Sequence, residues 1–190
     1  MAKVKLNPIL ERVRGKVGDL VFKRYEDEVV IARTPDFEGV VPTAAQLAQR
    51  ERFREAALYG RLVMADPEAK ALYAEAAKDK GQPVFSLMVA DFFNAPSVDE
   101  VDLSLYAGAA GDVIVIRARD DFDVTGVTVS LTGDAGNAIE RGAAVETPAN
   151  SGRWMYTATA AVATDATVRI AVTATDRPGG VGTAMEEKAV

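Results

Sequence analysis

The spacing of apolar residues changes character at Asn94, and that change limits what the chain can fold into. From Thr43 to Phe93 apolar side chains recur at helical intervals; from Val98 onward they alternate with polar ones. A helical segment must therefore give way to short strands. Immediately before the switch, Val84–Phe93 holds only two polar residues, Ser86 and Asp91, among ten. As a helix of about 15 Å it is apolar on several sides and needs neighbours on more than one of them. It is expected to be the hub that joins the helical segment to the strands.

The helical segment is punctuated clearly. Thr43 with Gln46 three residues later is a capping box, and the run from Ala44 to Met64 carries a broad apolar face. Asp66 and Pro67 close that helix and open a second, because aspartate caps free amides and proline is tolerated at the first helical position. Gly81 stops the second helix and Pro83 begins the third. The spacing predicts helices over 43–64, 67–79 and 83–94, with a core built from Phe53, Leu72, Tyr73, Phe85, Met88, Phe92 and Phe93.

Residues 17–33 read as a β-hairpin. Val17, Leu20, Phe22, Val29 and Ile31 supply strand formers, and Glu26 and Asp27 lie in a polar turn near Lys23 and Arg24. Gly15 and Gly18 suit the turn into that hairpin; the glycine pattern and lysine of a phosphate-cradling loop are missing. Ahead of it lies a basic arm, residues 1–16, too poor in apolar side chains to fold alone. The expected organisation is this arm, a hairpin-plus-three-helix domain over 17–97, and a second domain over 98–190.

In that second domain, alternating runs fall near 101–105, 113–118, 124–131, 139–145, 154–156, 168–174 and 181–188, separated by turn residues such as Gly108, Gly111, Asp134, Gly136 and Gly152. About seven short strands at this spacing predict an antiparallel sandwich. The fold class is therefore α+β: an N-terminal hairpin and three-helix unit followed by an immunoglobulin-like sandwich. The stretches DVIVIRARDDFDVTGVTVSLTGDAGNAIE and GRWMYTATAAVATDATVRIAVTATDRPGG resemble the immunoglobulin-like or fibronectin-like modules of bacterial surface and structural proteins. The resemblance implies the sandwich and little about activity, and the cysteine pair of antibody domains is absent. The opening GKVGDLVFKR followed by a helical segment resembles uncharacterised bacterial proteins, which implies no activity.

The chain has neither cysteine nor histidine. That removes disulfides, thiolate chemistry, the usual general base and the commonest zinc ligands. Ser86 has no histidine to activate it, which excludes a serine–histidine triad. Asp120, Asp121, Asp123 and Asp176 are the acidic residues that calcium could use if they converged, but no twelve-residue calcium loop with its terminal glutamate is present. They read as turn aspartates, so no metal, cofactor or catalytic residue is expected. Trp154 and Tyr156 share one strand face and read as sandwich core rather than as a sugar platform.

Charge is distributed unevenly. Against a total of −6, residues 1–24 carry Lys3, Lys5, Arg12, Arg14, Lys16, Lys23 and Arg24 with only Glu11 and Asp19, a net +5 that leaves −11 on the remainder. A basic arm on an acidic body suits complementarity between copies. The acidic balance disfavours nucleic acid as partner. Lys3, Val4, Lys5, Leu6, Ile9, Leu10, Arg12 and Arg14 form the arm expected to dock on a neighbouring copy, building a filament or shell head-to-tail. The alternative is an adaptor that binds protein or carbohydrate, with the sandwich as spacer or recognition surface and another structural protein as a candidate partner. No run of signal-peptide or membrane-span character is read. Cytoplasmic synthesis with assembly in a virion or outside the cell fits that pattern.

Overall fold

The computed structural model describes residues 2–3, 14–25, 28–36, 38–39 and 41–190. The chain divides into two compact units, 1–47 and 48–190, with the boundary inside the first helix.

In the first unit, β1 (Ala2–Lys3), β2 (Gly15–Val17), β3 (Leu20–Tyr25) and β4 (Glu28–Arg33) form an antiparallel sheet in the order β1-β4-β3-β2. The predicted hairpin is present and is extended by one short strand on each side. Val17 pairs with Leu20 across a two-residue turn, where Gly18 takes the left-handed φ of +57° that a hairpin turn requires. Ala2 and Lys3 pair with Ile31 and Val30 of the same chain. Of the other proposed arm residues, Arg14 is exposed just before β2; Val4, Lys5, Leu6, Ile9, Leu10 and Arg12 lie outside the described residues, as do Glu26 and Asp27 of the hairpin tip.

Three helices come next: α1 (Ala44–Ala65), α2 (Pro67–Asp79) and α3 (Val84–Phe93). The capping box forms in both directions, Thr43 N–H donating to Gln46 Oε1 at 2.9 Å and Gln46 N–H to Thr43 Oγ1 at 3.3 Å. The Asp66 carboxylate caps the Glu68 and Ala69 amides, with Pro67 at the first helical position. α1 turns Ala56, Gly60 and Val63 inward. Gly60 lets α3 approach, since a Cβ there would meet the Phe85 ring at 2.8 Å. The buried cluster is Val63, Tyr73, Ala77, Leu87 and Met88. Phe53, Leu72 and Phe85, expected in this core, are exposed instead. Aromatic pairing explains part of the difference: Phe53 lies 6.4 Å from Phe93, and the Arg52 guanidinium covers the Phe93 ring at 5.0 Å. These rings make a surface cluster outside the core, in which Phe92 and Phe93 are half-buried.

The alternating region is a β-sandwich. One sheet orders β5 (Ser97–Asp102), β6 (Val113–Arg119), β10 (Arg153–Thr157) and β9 (Val145–Glu146) as β5-β6-β10-β9. The other orders β7 (Val124–Gly133), β8 (Ala138–Ala143), β11 (Thr167–Asp176) and β12 (Val181–Ala189) as β12-β11-β7-β8. All pairs are antiparallel. Alternate residues of both sheets meet inside: Ile114, Ile116, Trp154 and Tyr156 from the first, Val127, Val129, Leu131, Val168, Ile170 and Val172 from the second.

Two strand readings change. The run at 139–145 is not one strand, because the chain switches sheets at Ala144, which is buried and donates its N–H to Val127 O at 2.8 Å. The first strand of the sandwich ends at Asp102, and the segment after it turns so that Tyr106 enters the core while Leu105 faces solvent.

Leu131 is 1% exposed and Leu105 is 61% exposed. Leu131→Ala is expected to cost about 2–5 kcal/mol and Leu105→Ala less than about 0.5 kcal/mol, read from urea unfolding midpoints at unchanged slope.

Candidate functional site

Within the 48–190 unit, the helices meet one end of the sandwich at two turns. The β6–β7 turn carries Asp120 to Asp123, and the β11–β12 turn comes directly after Asp176. Thr125 joins these turns, its hydroxyl lying 3.1 Å from Thr175 O and 3.2 Å from Asp176 O. Phe122 projects from its turn into the helical cluster and stacks on Tyr73, with ring centroids 3.8 Å apart and planes at 20°. Arg177 lies over the outer face of Phe122 at 5.7 Å.

Beneath that stack three carboxylates converge. Asp91 of α3, Asp120 and Asp176 each bring an oxygen within 4.8 Å of the others, the one such convergence among the described residues. Asp91 is 0% and Asp176 5% exposed, although charged side chains are rarely buried without a partner. In each residue one oxygen is held and the other is not. Asp91 Oδ2 accepts from the Tyr73 hydroxyl, which lies 2.7 Å from that of Tyr59. Asp120 Oδ2 accepts from Phe122 N–H at 3.1 Å and Asp123 N–H at 3.3 Å. Asp176 Oδ1 accepts from Gly180 N–H. Asp91 Oδ1, Asp120 Oδ1 and Asp176 Oδ2 are buried and have no hydrogen-bond partner. Gly180 fits this arrangement, because a Cβ there would collide with the Asp176 carboxylate and lie 3.2 Å from Ala95 Cα.

Burial, then a carboxyl–carboxyl contact with Asp120 of hydrogen-bond type, then the like charges of Asp120 and Asp176 push the Asp91 carboxyl up to about 8, against the opposing hydrogen bond from Tyr73. Burial also raises Asp176. Tyr73 and Tyr59 are raised as well, chiefly by burial, so both hydroxyls remain protonated donors. Among the described residues, no basic side chain pairs with Asp91, Asp120 or Asp176; Arg177 Nε is taken up by Asp123 at 3.5 Å. The cluster must be neutralised by protons or by something cationic.

Of the four aspartates singled out from sequence, Asp120 and Asp176 come together. Asp121 accepts from Asn94 Nδ2 and Asp123 pairs with Arg177, both away from the cluster. Asp91 was the missing member; its signal was a lone acidic residue in the most apolar helix. Trp154 and Tyr156 lie in the sandwich core. No helix among the described residues is long and apolar enough to cross a membrane.

The class these features define is an antiparallel β-sandwich carrying a three-helix layer over a buried acidic junction. No family model matches the chain, and no curated protein matches it in sequence. Among solved structures, 48% of the chain is similar to 89% of CopC from Methylosinus trichosporium OB3b, at 12% identity and a TM-score of 0.37. The same share is similar to 92% of a conjugative transposon lipoprotein from Bacteroides eggerthii DSM 20697, at 17% identity and a TM-score of 0.25. At these scores neither likeness bears on function.

The raised Asp91 carboxyl has a definite consequence in chelator. Below pH 4 it is protonated in both folded and unfolded chains. Between pH 4 and about 8 the unfolded chain ionises it and the folded chain does not, so stability falls by up to about 1.4 kcal/mol per pH unit. Asp120, Asp176, Tyr73 and Tyr59 face the same junction. Asp91→Asn, which keeps an acceptor for Tyr73, is expected to flatten this slope in urea titrations across that range; an unchanged slope would assign it to other groups.

Proposed function

We propose that this chain is a non-enzymatic structural building block whose basic N-terminal segment docks on the helical layer of a neighbouring copy, head-to-tail, to give a filament or shell. The observation that carries this reading is the outward face of α1. Leu58 is 55% and Leu62 64% exposed one turn apart on that face. Isolated exposed leucines are ordinary; a stripe of them is a docking surface.

Glu51 and Glu55 lie along the stripe, the first paired with Arg54 at 2.6 Å, and Arg50, Arg54 and Arg61 line its other side. Lys5 and Leu6, and again Arg12 to Arg14, set basic beside apolar side chains, Lys3 being paired with Val30 of its own chain, and the charge of 1–24 opposes that of the remainder.

The sandwich edges favour helix-mediated over strand-mediated contact. β5 is bulged after Val98 and bears ion pairs from Asp99 to Arg119 and Glu100 to Arg117, each at 2.9 Å. β9 has two residues. β8 is bulged and places Glu140 opposite inward-facing Leu131. β12 places Glu186 and Lys188 opposite inward-facing Ile170 and Val168. Short length, bulges and inward charges are the devices that stop strands adding to an edge. The same devices suit the second reading, an adaptor that presents α1 to a different protein and uses the sandwich as a spacer.

Light scattering over a concentration series distinguishes the two. The building-block reading expects a mass that rises with concentration and falls with added salt, and that stays monomeric in Leu58→Lys/Leu62→Lys and in a chain lacking residues 1–14. A wild-type chain monomeric at its solubility limit contradicts it and leaves the adaptor.

A further inference from the structure

The three converging carboxylates come from three separate elements: α3, the β6–β7 turn and the end of β11. A cluster assembled from separate elements has to be stable as assembled, and three close carboxylates with no basic side chain paired to them are not. Each is nonetheless held in place by hydrogen bonds to one oxygen only. Tyr73 holds Asp91, the Phe122 and Asp123 amides hold Asp120, and the Gly180 amide holds Asp176. The opposite oxygen of every one is left buried and unpartnered. A donor fixed on one oxygen of each carboxylate and a second oxygen left unpartnered match what a metal site needs, where the outer hydrogen bonds orient the ligands.

We propose that Asp91, Asp120 and Asp176 bind one hard divalent cation of the calcium type, clamping α3 to the end of the sandwich. Oxygens within 4.8 Å of one another can be spanned by a single ion with bonds of about 2.3–2.6 Å. The donor set is all carboxylate in a chain without histidine or cysteine, which selects hard cations over zinc or copper. Calcium takes about six to eight oxygens, so three protein ligands leave positions for water. A cleft of about 650 Å³ between α2 and the sandwich, lined in part by Asp120, Phe122 and Asp123, adjoins the cluster on the Asp120 side; Asp91 and Asp176 do not line it. The site does not depend on how copies of the chain associate.

The test uses the full chain, freed of metal by chelator and titrated with CaCl2 and, in parallel, MgCl2. Calorimetry should give one site per chain, and the melting temperature should rise by about 5–10 °C when calcium exceeds its dissociation constant about a hundredfold. Terbium, a calcium mimic, should luminesce on tyrosine excitation, because Tyr73 is hydrogen-bonded to a ligand. Asp91→Asn and Asp176→Asn should abolish all three signals while keeping the circular dichroism of the wild type. Asp121→Asn, one residue from the site, should retain them.

Absence of calcium heat, melting shift and terbium emission up to millimolar concentrations, in folded protein, overturns the proposal. So does a calcium response that survives in both Asp91→Asn and Asp176→Asn. A chain indifferent to calcium that melts higher as Asp91→Asn would overturn it too and place a shared proton in the junction instead. Saturation by magnesium at lower concentration than calcium would overturn the calcium assignment.

Discussion

The carboxyl of Asp91 is withdrawn from water at the seam between helices and sandwich, and the rest of the 48–190 unit is arranged to make that tolerable. Burying a carboxylate without compensation costs several kcal/mol. Tyr73 and Tyr59 supply a chain of hydroxyls from the helical side. Asp120 and Asp176 stand on the sandwich side, each oriented by amides of its own turn. Phe122 caps the seam by stacking on Tyr73. The helical cluster therefore takes in Phe122 from the end of the sandwich, and displacing α3 would expose the buried acid.

Much of this architecture was readable from residues alone, because it rests on local rules. The capping box at Thr43 and Gln46, the Asp66–Pro67 joint and the stop at Gly81 are decided within a few residues, and all three helices lie within a residue or two of their expected bounds. The period-two runs likewise become strands. What was not readable is long-range. Whether Phe53 and Leu72 face inward depends on which side of the layer the sandwich covers, and periodicity does not report that. Ala144 lies within the 139–145 run that reads as a single strand, yet the chain changes sheet there, a decision made by the partners β7 and β10.

The acidic junction shows the same division. Asp120 and Asp176 attract attention as turn residues, each accepting backbone hydrogen bonds as turn aspartates do. Their second oxygens acquire meaning only when Asp91 arrives from a helix well before either turn in the chain. A single acidic residue in an otherwise apolar helix was the one local sign, since it breaks a pattern that hydrophobic burial alone would have preserved. The sandwich edges carry a different kind of information. Their bulges and inward charges sacrifice some stability to prevent pairing with other strands, which leaves association to other surfaces of the molecule.

Native-state hydrogen exchange across 48–190 tests the central claim, that helices and sandwich are one cooperative structure joined at the seam. The account predicts that the amides of Leu87, Met88 and Asp91 in α3 exchange with the same opening free energy as those of Ile170 and Val172 in β11. Exchange of the α3 amides through a separate opening, several kcal/mol below that of β11, would contradict it.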